Sequence, residues 1–300
     1  MEVISKRYRD DIIKMVQLSK LSHEVDEESV LQLGNKEILP YIEAIVEKHL
    51  LPGSRVLHPE RIERLLAMAE KGESCLILPE HYSNFDLPCF IYLLKKAGDA
   101  GRRLADAIVA VAGIKLNETN PVVLAFTEAY TRVVIYPSRS LEIIRERFME
   151  PREMLDEILK GTSINRAATK TINKIKKEGS VILVFPAGTR YRPWDPSTKK
   201  GVREIDSYLK TFDHMMLVSI NGNILRINPE GEMDEDLIAD DKVLFDLSEP
   251  IDCKEFRKEV KEGLNFGDDT KQMIVDEVMR RLDAMHDAVE ATRLKDSGTA

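Results

Sequence analysis

Long apolar runs are missing from this chain: the two longest, 107–114 and 181–186, have strand length and fall far short of the ~20 residues that cross a bilayer. No membrane-spanning helix is therefore expected. The opening MEVISKRYRDDIIK mixes acids and bases without an apolar stretch followed by small residues, so it does not read as a secretory signal. Cysteine is scarce. Cys75, Cys89 and Cys253 are odd in number and far apart, which fits neither a disulfide framework nor a zinc site, and a reducing cytoplasm is the simplest compartment. An excess of base is lacking too: the net charge of -8 disfavours general nucleic-acid binding. Internal repeats and low-complexity tracts are absent, which excludes solenoids and linkers. What remains, 300 residues with 43% hydrophobic and 32% charged side chains, is enough for one large globular core.

The charge is unevenly spread. Residues 160–203 hold eleven Lys and Arg against Glu178 and Asp195, whereas 229–249 hold nine acids and the single base Lys242. The acidic run reads as a solvated face. The basic run overlaps the motifs below and reads as functional, with Lys174, Lys176, Lys177, Lys199 and Lys200 either as positions that would attract an acidic partner or as simple solvated charge.

Hydrophobic spacing predicts helices over 38–50 and 59–71, then a change of texture near residue 72. Short β-rich runs at 75–78, 107–111, 132–136, 181–185, 214–220 and 241–247 alternate with helical stretches at 87–97 and 162–177. A last amphipathic helix over 270–294 carries Ile274, Val278, Leu282, Met285 and Val289 on one face. The expected fold is α/β, a mixed central sheet flanked by helices and preceded by a small helical domain. The expected division is 1–70 and 71–300.

Three strand ends carry the chemistry. The first is His81-Tyr-Ser-Asn-Phe-Asp86, directly after the strand 75–78, at the carboxyl end where open α/β sheets build their sites. Five residues apart on one continuous helix, His81 and Asp86 would diverge by about 140°. His81 must therefore lie in a turn for Asp86, at a helix start, to reach its ring. A carboxylate on one ring nitrogen fixes the tautomer and frees the other nitrogen to take a proton from an alcohol. With six histidines in the chain, roughly 0.4 such pairs arise by chance, so the spacing alone is weak. Asp86 or Ser83 as a helix cap is the competing reading.

The second strand end is Phe185-Pro-Ala-Gly188-Thr189-Arg190-Tyr-Arg192, a Pro-Ala-Gly turn followed by two arginines. Extended, these arginines would point to one side and grip a phosphate with forked, charge-assisted hydrogen bonds. The third is Tyr136-Pro-Ser-Arg139. Together they predict a base with its carboxylate facing an anionic alcohol.

In this order and at these separations, His81-x4-Asp86, Tyr136-Pro-Ser-Arg139 and Phe185-Pro-Ala-Gly-Thr-Arg190 resemble the motif blocks of the glycerolipid acyltransferase family. The resemblance spans about 59–223, and the likeness is greatest to its soluble, chloroplast-type glycerol-3-phosphate 1-acyltransferases. It implies transfer of a fatty acyl group from an acyl carrier protein or coenzyme A thioester to the sn-1 hydroxyl of glycerol 3-phosphate, without cofactor or metal. His81 then matches the catalytic base and Asp86 its partner. Arg139, Arg190 and Arg192 match the phosphate-holding positions, and backbone amides near Gly188 and Thr189 would face the oxyanion. A plant chain of this type would work in the plastid stroma. Glu80 stands where many relatives have Asn, Ala187 where the membrane-bound branch usually has Glu, and the usual glycine-bearing second block is replaced. These departures bear on the acceptor. A lysophosphatidate or lysophospholipid acceptor with peripheral membrane contact, a non-catalytic lipid or acyl-chain carrier, and a hydrolase stay open. A covalent route through Ser83 or Cys89 lacks a second base at recognisable spacing.

Overall fold

The computed structural model describes residues 1–118, 120–137 and 151–296. Among them are twelve strands: β1 (Glu2–Val3), β2 (Leu31–Gln32), β3 (Arg55–Leu57), β4 (Cys75–Pro79), β5 (Ile108–Gly113), β6 (Arg132–Ile135), β7 (Val181–Leu183), β8 (His214–Asn221), β9 (Leu225–Arg226), β10 (Leu237–Ile238), β11 (Leu244–Leu247) and β12 (Ile251–Asp252). Nine of them form one mixed sheet in the order β2-β6-β5-β7-β4-β8-β11-β3, with β12 beside β8. Its centre, β6-β5-β7-β4-β8, is wholly parallel. The flanking pairs β2–β6 and β8–β11 are antiparallel.

A parallel centre must be covered on both faces, and the sequence of β4 fits that demand: all five residues of Cys-Leu-Ile-Leu-Pro are buried. Its side chains alternate between two cores. Cys75 and Ile77 join the cluster that includes Phe90, Met216 and Phe245, whereas Leu76 and Leu78 join that of Ile182, Phe256 and Ile274. Each fully buried aliphatic there contributes about 1.5–3 kcal/mol. Ile77, with no exposed surface, is a position where truncation to Ala would cost ~2–5 kcal/mol.

Helices form where the apolar spacing requires them. Leu39–His49, Glu60–Glu70, Asp86–Lys96 and Thr270–Asp296 fall within a few residues of expectation, and Ile274, Val278 and Leu282 on the last are fully buried. The helix expected over 162–177 is longer at its start and runs Pro151–Ile175. Others were not legible from spacing: Asp99–Ala107, Pro121–Glu128 and Cys253–Glu262. The latter two carry their signals at the start. Asn120 accepts the Val123 N–H at 2.9 Å, and Asp252 accepts that of Glu255 at 2.8 Å.

No boundary between two cores falls near residue 70. The N-terminal helical region donates β2 to one edge of the main sheet and β3 to the other end, and β1 joins β10 and β9 in a three-stranded sheet. Ile4, Met15, Ile42 and Ile45 lie in the same cluster as Ile77 and Phe90. Among the described residues no helix is long and apolar enough to cross a membrane, and no group of three or more His, Cys, Asp or Glu is placed to hold a metal ion.

Candidate active site

Because β4, β6 and β7 run parallel, the segments that leave their carboxyl ends emerge at one rim of the sheet. The segment after β4 brings His81 and Asp86 together. Residues 80–85 form a turn and Asp86 begins the next helix. His81 Nδ1 lies 2.9 Å from Asp86 Oδ2. The same oxygen accepts the N–H groups of Tyr82 at 2.6 Å and Ser83 at 2.9 Å. Asp86 thus holds the turn and the ring at once, and at 4% side-chain exposure little solvent competes. The imidazole is stacked on Phe185, from the end of β7, with ring centres 3.9 Å apart and planes 19° from parallel. The Tyr191 N–H donates to the carbonyl of His81 at 2.8 Å, tying the two loops together.

The hydroxyl of Ser83 is committed, donating to the Leu225 carbonyl at 2.8 Å and accepting the Phe85 N–H at 3.0 Å. Burial pushes the thiol of Cys89 well above its ordinary pKa, and Asp86 adds to the effect. Neither is placed as a nucleophile.

Gly188 has φ +64, a left-handed conformation that side chains rarely adopt, and a Cβ there would come within 3.3 Å of Val202 Cγ1. Its N–H donates to Phe185 O at 3.0 Å. That amide closes the turn and is not directed at a ligand. Thr189 makes no hydrogen bond with the described residues, and its N–H and hydroxyl stay available as donors at this turn, as do the N–H groups of Ala187 and Arg190.

The two arginines behave differently. Arg190 is buried and its Nη1 is paired with Asp236, a side chain only 1% exposed. Burial raises the carboxyl pKa of Asp236, and Arg190 offsets this only in part. Arg192 is half-buried and its guanidinium has no partner among the described residues, while its N–H is held by Thr198 Oγ1 at 2.8 Å. Between them Tyr191 packs edge-on against Tyr82, with centroids 5.9 Å apart. Arg139 lies outside the described residues. The strand end that leads to it is clamped: Asn165 accepts the Tyr136 N–H and donates to the Tyr136 carbonyl, both at 2.8 Å. Gly161 one turn earlier lets that helix approach, since a Cβ there would sit 3.0 Å from the Tyr136 ring.

Sequence reasoning missed the support behind the turn. Glu80 is buried and accepts from Tyr82 OH at 2.7 Å, from the Ile220 N–H at 2.8 Å and from His286 Nδ1 at 2.9 Å. Burial alone would lower the pKa of His286, but the Glu80 hydrogen bond and charge outweigh it and the net shift is upward. Burial, reinforced by Glu80, drives the Tyr82 phenol far above its usual range. Of the lysines picked out as docking positions, Lys199 is paired with Asp283 at 2.6 Å and Lys176 is buried over the Phe212 ring at 4.4 Å. Lys174, Lys177 and Lys200 are exposed. Two surface depressions lie apart from His81, one of about 490 Å³ at Lys254, Arg257, Lys258 and Lys261, the other of about 250 Å³ at Arg7, His49 and Asp240.

The arrangement holds one imidazole with Nδ1 fixed by a carboxylate and Nε2 without a partner among the described residues, next to a loop with two arginines. It is suited to drawing a proton from a hydroxyl beside an anionic group. No family model matches the chain, and no curated protein matches it.

Proposed function

We propose that the chain is an acyltransferase that moves a fatty acyl group from an acyl thioester to a hydroxyl of a phosphate-bearing alcohol, glycerol 3-phosphate being the acceptor that best fits the residues. The observation that carries this is the His81–Asp86 pair at a sheet rim, with His81 stacked on Phe185 of the loop that supplies Arg190 and Arg192. The acceptor hydroxyl gives its proton to His81 Nε2 as its oxygen attacks the thioester carbonyl carbon. Asp86 stabilises the imidazolium that forms. The tetrahedral oxyanion then collapses, the carbon–sulfur bond breaks, and the Nε2 proton passes to the leaving thiolate. The Gly188 amide is taken up by Phe185, and the donors open to the oxyanion at this turn include the N–H and hydroxyl of Thr189 and the N–H groups of Ala187 and Arg190.

Direct transfer is favoured over a covalent intermediate by the commitment of Ser83 and the burial of Cys89. The donor, an acyl carrier protein or coenzyme A thioester, belongs to the same proposal, as does the sn-1 position. The test is incubation with an acyl thioester and glycerol 3-phosphate, with ester and free acid measured separately. Ester formation is expected from the native chain and none above background from His81→Ala. Free acid as the main product would point to hydrolysis, and unchanged ester formation in His81→Ala would remove the histidine from the mechanism.

A further inference from the structure

The acidic stretch 229–249 is not uniformly a solvated face, because Asp236 turns inward. Its backbone is pinned: the Ile4 N–H donates to the Asp236 carbonyl at 2.9 Å, and the strand that follows, β10, lies between β1 and β9. Its carboxylate accepts the Asn228 N–H at 3.2 Å on Oδ1. On Oδ2 it takes Arg190 Nη1 together with Asn84 Nδ2, the latter at 3.4 Å. Asn84 stands within the His81-to-Asp86 turn. One carboxylate oxygen therefore joins the guanidinium expected to hold an anion to the loop that carries the general base.

We propose that Asp236 is the built-in occupant of the Arg190 anion site: it neutralises the guanidinium, and a tetrahedral dianion such as the acceptor's phosphoryl group binds in competition with it. This rests on reading Arg190 as a phosphate-holding residue. A buried guanidinium without a counter-charge would be strongly destabilising, and the internal carboxylate supplies that charge. Being part of the chain, it competes at high effective concentration. Chloride and single carboxylates are poorly matched against it, whereas a dianion with several oxygens can engage Arg190 and Arg192 together. Asp236 thereby raises the selectivity of the site and lowers its affinity.

The probe is sulfate, a tetrahedral dianion, titrated against sodium chloride of matched ionic strength. Binding is followed by melting temperature and by the fluorescence of Trp194, the single tryptophan, two residues from Arg192. Asp236→Asn should bind sulfate more tightly than the native chain, on the order of tenfold, and Arg190→Gln/Asp236→Asn should lose that gain. If Asp236→Asn does not fold in chloride, recovery of folding by sulfate at concentrations that fail to rescue Arg190→Gln/Asp236→Asn is the same readout. An equal or smaller sulfate response in Asp236→Asn, a gain that survives in the double variant, or no recovery of folding would overturn the proposal; an ion pair with a structural role alone gives the first of these. No arm uses an acyl donor. Absence of ester formation by the native chain would thus sink the acyltransferase reading and leave this result standing, and ester formation with an unaltered sulfate response would do the reverse.

Discussion

Replacing Asp86 by Asn keeps the shape of the side chain and an oxygen able to accept the Tyr82 and Ser83 N–H groups, while removing the charge beside His81. At the observed 2.9 Å, two unit charges in an effective dielectric near 20 interact by about 6 kcal/mol. His81 is 16% exposed, so solvent screens part of this, and roughly 3 kcal/mol of transition-state stabilisation is a fair expectation. That corresponds to a fall in kcat on the order of 10²-fold. The acceptor KM should change little, because Asp86 touches the imidazole and not the arginines proposed to hold the anion. Steady-state ester formation at saturating thioester and varied glycerol 3-phosphate reads both parameters, and a thermal melt checks the fold. A kcat within fivefold of native, with an unaltered melt, would refute the claim that the carboxylate stabilises an imidazolium.

Two further outcomes follow from the support around the site. Asn165→Ala leaves the peptide groups of buried Tyr136 without their partner, at a cost of about 1–3 kcal/mol. It should lower the melting temperature and raise the acceptor KM more than it lowers kcat, because the strand end leads to Arg139; an unchanged KM would count against a role for that strand end in acceptor binding. His286 has a folded pKa raised above its ordinary 6.5. Its contact with Glu80 therefore adds stability that is complete below about pH 6.5 and is lost as pH rises through the higher folded value. Denaturant unfolding of native and His286→Gln proteins between about pH 6 and 9 should show a stability difference that shrinks with pH, and a difference that grows would contradict the assignment.

Local periodicity was enough to recognise the alternating architecture, since a strand such as 75–79 and a helix such as 39–49 each bury side chains at their own repeat. The turn holding His81 and Asp86 was legible for the same reason. Its two candidate side chains are five residues apart, and helical geometry leaves few ways for them to meet. Cap-led helices with a weak apolar stripe, such as 253–262, were not.

What the tertiary structure alone decided concerns partners far apart in the chain. Asp236 reaches Arg190 across 46 residues and His286 reaches Glu80 across 206. Neither pairing has a local signature, because it follows from the order in which strands assemble and from which helix then covers the rim. Charge composition marked 229–249 as a surface, and only the placement of β10 between β1 and β9 turned one of its carboxylates into the counter-ion of a buried guanidinium.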